Sequence, residues 1–567
     1  MKKLLLFFIF IFCLSSLHAQ LAPHKYLVRF TDKNNNPYTI ADPSQFLSSM
    51  AITRRQLQGI SINERDLPLT PAYVDSVLNT GITLLCKSKW FNSITIFTTD
   101  SAALVKIKSL PFVVSVDSVA RMKNDKLGAA IEENFKFMPE SLIDNEKLMS
   151  VISSAVSEKT HSFDYGLSYN QAEMISVDFL HNQNFCGQGV IIAVIDAGFF
   201  SADTLPVFDS LWANGQILGT RDFVEPGANV FEKSTHGMMV LSTMGGNIPG
   251  QLIGTAPKAS FWLLRSEDAG SEYIIEEYNW ASAAEFADSA GADIINSSLG
   301  YTVFNALWMD HTYSDMNGKT TPVTIAATYA SRKGMIVCSS AGNSGASPWH
   351  YISSPADADS IITVGAVDDQ GNYAAFSSTG PTADGRIKPT VATQGQGTVI
   401  ASSGGGVVTG NGTSFSSPVM AGATACLFQA FPSMSNMQII DAIKESSSQF
   451  SNPDSLLGYG IPNFAAAYLM LSGTQISDFD KQSQVTVFPN PFRDILYLCF
   501  FSIDTETVDI EIYDINGKSV YAELGLQRNT GYNYFSIGQL NAFPNGLYAL
   551  RIVSNRQIFT RKVLKMQ

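Results

Sequence analysis

Between Gly166 and Ser472 short apolar runs (VIIAVID, ASFWLL, ADIINSSLG, GMIVCSSAG and SIITVGAV) take turns with helical stretches such as Tyr278 to Ser289. Runs of this length that are apolar throughout, rather than at every second residue, read as strands covered on both faces. Strands that alternate with helices pair in parallel. Residues 166–472 are therefore expected to form an α/β domain, a parallel sheet with helices on both faces.

The flanks follow other rules. Residues 20–121 mix strand-like pieces (KYLVRF, ITLLCKSKWFNSITIFTT, PFVVSVDSV) with helix-like ones around Pro43 to Gln56 and Ala102 to Ser109, the pattern of a small α+β domain. Residues 122–165 turn polar and charge-mixed, as an exposed connector does. From 478 to 567, period-two segments are punctuated by Asn516-Gly517 and Asn545-Gly546, which predicts an all-β sandwich with hairpin turns at both dipeptides.

The 567 residues allow three or four domains of roughly 150 residues each. There are 37 Lys and Arg against 50 Asp and Glu, and residues 165–472 alone hold 10 against 26. An acidic body without a basic stripe argues against nucleic acid and anionic membrane surfaces as partners. Residues 1–19 read as a secretory signal: Lys2 and Lys3, an apolar run from Leu4 to Cys13, then a polar stretch ending in Ala19. No later apolar stretch reaches the ~20 residues of a bilayer span, so no transmembrane segment is expected in the mature chain. Cys86, Cys186, Cys338, Cys426 and Cys499 are odd in number and lack CxxC spacing, which indicates neither a disulfide framework nor a zinc site.

Three polar positions carry chemistry. Asp196 ends the run VIIAVID, at the carboxyl end of a predicted central strand, where ligand and catalytic groups gather. His236, in STHG, opens an apolar helical stretch. Ser414, in GTSFSSPVMAG, is delivered by a Gly-rich loop to the positive end of an apolar helix, with Pro418 expected in the first turn, where no donor is lost. Taken singly, each has a bland reading: a turn-capping aspartate, a structural histidine, an N-cap serine.

Together they resemble the subtilisin-like (subtilase) serine peptidases, which share the order Asp, His, Ser and these surroundings. VIDAG, STHG, SSAGNSG and GTSFSSPVMAG are similar to that family's Asp, His, oxyanion-asparagine and Ser signatures. GTAPKA, IINSSLG, FSSTGP and GYGIPNF are further family-like strings. The resemblance implies that Ser414 is the nucleophile, His236 the general base and acid, Asp196 its orienting anion, and Asn343 an oxyanion donor. It also implies that Ser298, Leu299 and Gly300 form a substrate-pairing edge and that Ala341 and Gly342 wall the primary specificity pocket, for a polypeptide substrate.

The chain departs from the family at Ala197, where a hydroxyl residue is usual, and at Ser234, Tyr301 and Thr390. No cofactor is required for such chemistry, and neither a GxGxxG after a strand nor a Walker-type loop occurs. Structural calcium is common in the family, but no ligand set is assignable from the sequence.

By position, residues 20–121 resemble the family's inhibitory propeptide, with the connector as a maturation region. Residues 478–567, through VFPNPF, IYDINGK and NGLYALRI, resemble the sorting domains of the type IX secretion system. These resemblances imply export through the periplasm, engagement of type IX secretion machinery, and an enzyme that is secreted or held at the outer-membrane surface. The competing reading is a catalytically silent binding or adhesion protein on the same scaffold. An α/β-hydrolase esterase is excluded by residue order, since Ser414 follows the last histidine, His350.

Overall fold

The structure, a computed structural model, describes residues 24–120, 162–473, 485–502, 504–554 and 558–566. The signal segment 1–19 and nearly all of the connector 122–165 lie outside the described residues.

The amino-terminal unit is a four-stranded antiparallel sheet in the order β2-β3-β1-β4, built from β1 (Lys25–Phe30), β2 (Thr83–Ser88), β3 (Ser93–Phe97) and β4 (Val113–Ala120). The expected first helix is broken into a 3-10 turn, Pro43–Gln45, and a helix, Ser49–Leu57, capped by Ser48 Oγ. A further helix, Pro71–Leu78, was not anticipated; Val74 and Val77 bury its apolar side beside Val28, Ile94 and Ile96. The opposite face of the sheet is also buried. Leu27, Cys86, Trp90, Val119 and Ala120 join one apolar cluster with Tyr278, Ala281 and Ala284 of the helix Ile275–Ala290 and with Ala327 of the helix Pro322–Arg332.

The central unit has a seven-stranded, wholly parallel sheet. It comprises β5 (Ile191–Asp196), β6 (Ile217–Asp222), β9 (Ser260–Arg265), β10 (Ile294–Ser297), β11 (Ile336–Ser340), β12 (Ile362–Val367) and β13 (Val391–Gln394), in the order β13-β12-β11-β10-β5-β9-β6. Strand β5 shows why its run is apolar throughout. Ile192 and Val194 face the core that contains the helices His236–Gly245 and Thr413–Ala430, whereas Ile191, Ala193 and Ile195 face the other core. Two small hairpins, β7 (Asn247–Ile248) with β8 (Leu252–Ile253) and β14 (Thr398–Ala401) with β15 (Val407–Gly410), lie outside this sheet.

The carboxy-terminal unit has two antiparallel sheets around one apolar core. The first is β16 (Thr486–Phe488), β17 (Leu496–Ser502) and β20 (Gly531–Ile537); the second is β19 (Ser519–Arg528), β18 (Glu506–Tyr513), β21 (Gly546–Ser554) and β22 (Ile558–Lys565). Asn516-Gly517 is the expected hairpin turn between β18 and β19. Asn545-Gly546 is not a hairpin: β20 pairs with β17 and β21 with β18 and β22, so the dipeptide ends a crossing from one sheet to the other. Among the described residues, the five cysteines beyond the signal segment are buried and free, as small apolar fillers.

Candidate active site

Asp196 is the last residue of β5, an interior strand, so its carboxylate emerges at the carboxyl edge of the sheet. His236 is the first residue of its helix, and Ser234 Oγ accepts from the His236 N–H at 3.2 Å. The helix can start this close because the next residue is glycine. A Cβ on Gly237 would lie 2.4 Å from Gly198 O and 2.9 Å from Asp196 Cβ. His236 Nδ1 then donates to Asp196 Oδ1 at 2.7 Å, and both side chains are buried. The Ala197 N–H donates to the same Oδ1 at 2.7 Å.

Ser414 is the second residue of the helix Thr413–Ala430, so its N–H has no intrahelical acceptor. The next side chain, Phe415, places its ring centroid 6.2 Å from that of His236, which brings the serine and histidine elements into contact. Pro418 departs from expectation. It lies inside the helix, beyond the first turn, and withholds the amide that would have bonded the Ser414 carbonyl four residues back. Ser298 Oγ takes over, donating to Ser414 O at 2.9 Å, while Ser414 Oγ donates to Ser298 O at 3.4 Å. The proline thereby ties the end of β10 to the serine.

Asn343 is held by Thr413. Its Oδ1 accepts from Thr413 N at 2.9 Å and from Thr413 Oγ1 at 3.0 Å, which assigns the amide orientation and leaves Nδ2 as donor beside Gly412. Thr413 Oγ1 also accepts from the Gly342 N–H at 3.2 Å, so one hydroxyl fixes two neighbouring groups. Thr413 was not singled out from the sequence; its place between Gly412 and Ser414 was the available signal.

Ser298 and Leu299 are buried and Gly300 is exposed, directly after β10. Ala341 is buried, and Gly342 takes φ 107°, a left-handed conformation that disfavours any side chain. Ser353 bridges the two segments. A Cβ on Gly300 would lie 2.2 Å from Ser353 Oγ, and one on Gly342 would lie 3.1 Å from it. Ser353 is 7% exposed, and its hydroxyl has no hydrogen-bond partner among the described residues. Nothing in the SSPADAD string distinguishes Ser353 from Ser354 before folding.

Among the described residues, Glu267, Glu272 and Glu276 bring a carboxylate oxygen each within 4.8 Å of one another, a setting that suits an oxygen-ligated cation such as calcium. Glu267 also accepts the Tyr301 hydroxyl.

A parallel sheet carrying a bonded aspartate and histidine at its carboxyl edge, with a serine at a neighbouring helix start, is the arrangement expected of a subtilisin-like serine protease, and the comparisons with known proteins give that class. The model of the subtilase family matches residues 187–460, that of the Bacteroidota peptidase S8 propeptide domain residues 25–133, and that of the secretion system C-terminal sorting domain residues 486–566. Subtilisin E of Bacillus subtilis is 30% identical over 314 residues, 55% of this chain and 72% of that one. Subtilisin of Bacillus pumilus is 30% identical over 310 residues, 54% of this chain and 98% of that one. Fervidolysin from Fervidobacterium pennivorans shares the fold across 94% of this chain and 70% of its own, with TM-score 0.52 and 18% identity. The chain belongs to the subtilase family and carries a propeptide domain and a carboxy-terminal secretion sorting domain. Among the described residues, no helix is long and apolar enough to cross a membrane.

Proposed function

We propose that the protein is an exported serine endopeptidase that hydrolyses peptide bonds through an acyl-enzyme formed on Ser414. The observation that carries this reading is the 2.7 Å bond from His236 Nδ1 to Asp196 Oδ1, which joins groups 40 residues apart at the sheet edge where the serine helix begins. In this reading Ser414 Oγ attacks the carbonyl carbon while His236 takes its proton, and Asp196 stabilises the imidazolium. The Asn343 side chain and the Ser414 N–H receive the developing oxyanion. Collapse breaks the C–N bond, the amine leaves with the proton from His236, and water repeats the sequence to release the acid. The chemistry needs only side chains and water.

The substrate is a polypeptide segment lying extended along Ser298–Gly300, with one side chain entering between Gly300 and Ala341–Gly342. The propeptide domain, docked on the helices Ile275–Ala290 and Pro322–Arg332, supports synthesis as a zymogen. The sorting domain supports passage through the periplasm to the type IX machinery, and release or retention at the outer-membrane surface. The test is labelling of processed protein with a fluorophosphonate. Wild type is expected to label and Ser414→Ala to remain unlabelled; equal labelling would favour a catalytically silent scaffold.

A further inference from the structure

The sheet β16-β17-β20 is apolar on both faces. Its inward residues Val487, Leu496, Leu498, Phe500 and Ile537 fill the sandwich core. The alternate residues Tyr497 and Cys499, with Phe488, Tyr532 and Tyr534, face away from that core. The companion sheet behaves differently, since β18 alternates its core residues Val508, Ile510 and Ile512 with Thr507, Asp509 and Glu511. A free-standing two-layer sandwich needs one apolar face per sheet, and a second such face calls for a partner.

The partner is the peptidase itself. Phe179, on the short helix Val177–Asn182, stands edge-on to Tyr497, Tyr468, Tyr534 and Phe488, with ring centroids 5.2, 5.4, 5.5 and 5.7 Å away. Phe179 and Tyr497 are 1% and 2% exposed, and Cys499 packs with Ala466 and Leu469 of the helix Phe464–Leu471. The Tyr497 hydroxyl meets the Gln183 and Asn182 side chains. At Gly531 the approach is backbone to backbone: a Cβ there would lie 2.9 Å from both Cα and O of Ser448. Buried aromatic anchors and close backbone contact are the features of permanent interfaces rather than of a tethered tail.

We propose that this aromatic joint holds the sandwich to the peptidase without help from the connecting chain. Hydrolysis of a peptide bond between Gly473 and Val485 then leaves a two-piece enzyme in which the sorting domain persists as a bound subunit. Its partner is thus the peptidase of the same molecule, recognised through Phe179 and Tyr468.

The test uses the full chain with a site for a sequence-specific protease placed between Gly473 and Val485. After complete cutting, the two pieces are expected to elute together in size-exclusion chromatography at micromolar concentration. Tyr497→Ser with Tyr534→Ser is expected to separate them, through at least a ~100-fold weaker association. Tyr468→Ser, on the peptidase side, is expected to do the same and serves if the double variant fails to fold. Separation of the wild-type pieces would overturn the proposal, and so would continued co-elution of the Tyr468→Ser pieces. The readout is size, so a protein without peptidase activity would give the same answer.

Discussion

Asp196 presents one carboxylate oxygen to His236 and leaves the other idle. Oδ1 accepts from His236 Nδ1 and from the Ala197 N–H, each at 2.7 Å, whereas the buried Oδ2 has no hydrogen-bond partner among the described residues. Ala197 is the position where subtilases usually carry a hydroxyl. Ala197→Ser introduces a hydroxyl at the residue after Asp196; where it donates to the idle oxygen, steady-state kinetics are expected to show a gain in kcat of a few fold at unchanged KM, the worth of one hydrogen bond of ~1 kcal/mol. Asp196→Asn is expected to lower kcat by a factor on the order of 10⁴, because an amide cannot hold the imidazole as the carboxylate does.

Thr413 is bonded to Asn343, the oxyanion donor of the proposed reaction. Its hydroxyl holds Asn343 Oδ1 at 3.0 Å and receives the Gly342 N–H at 3.2 Å. Thr413→Val keeps the backbone bond to Asn343 and loses both hydroxyl contacts. The expected outcome is a ~10-fold fall in kcat with KM little changed, smaller than the ~10²–10³ fall expected for Asn343→Leu. If Asn343→Leu and Thr413→Val are combined, their effects should fall short of the product, since both act on one donor.

The docked propeptide domain carries a pH dependence. Arg55 bridges Asp66 of its own domain, at 2.9 Å, and Asp288 of the peptidase, at 2.8 Å; Arg54 reaches Asp288 at 2.6 Å, and Lys333 reaches Asp66 at 2.7 Å. Burial alone would raise the Asp288 carboxyl, but Lys89, Arg54 and Arg55 hold it down to about 2. Its contribution is present above the ordinary carboxylate range and fades as pH falls towards 2. Glu285 is the opposite case. Burial pushes it up to about 7, although Lys89 and the donors Ser88 Oγ, Trp90 N and Lys89 N pull the other way. Docking therefore takes up a proton, and the benefit is lost as pH rises through 7. Release of the propeptide domain from processed protein, followed by size exclusion, is expected to be at least ~10-fold faster at pH ~8 than at pH ~5, with Glu285→Gln removing most of the difference.

Ser353 Oγ lies against both candidate pocket walls, beside Gly300 and Gly342. Replacing it with glycine vacates the space beside Gly300 and Gly342 that its Oγ now fills. A peptide-library profile of Ser353→Gly is expected to shift towards larger side chains on the acyl side of the cleaved bond, by ~10-fold or more in relative kcat/KM, with fluorophosphonate labelling retained. An unchanged profile with intact labelling would remove Ser353 from the specificity pocket.

Much of this was legible in the chain because the deciding signals are local. An uninterrupted apolar run ending in Asp196 and a Gly-rich loop ahead of Ser414 each state their structural context within a dozen residues. What was not legible depends on partners far away. The substitute bond from Ser298 to the Ser414 carbonyl spans 116 residues, and the pairing of Arg55 with Asp288 spans 233. The crossing at Asn545-Gly546 escaped for a related reason: period-two alternation marks a strand and its buried face, but not which of two sheets the strand will join.

The aromatic outer face of the three-stranded sheet also bears on transplanting the carboxy-terminal domain. Fused behind a foreign cargo as an export label, residues 485–566 would bring Phe488, Tyr497 and Tyr534 without the Phe179 that shields them. A label built from this sandwich would carry its own adhesive, and a cargo lacking a matching apolar socket would meet other copies of itself first.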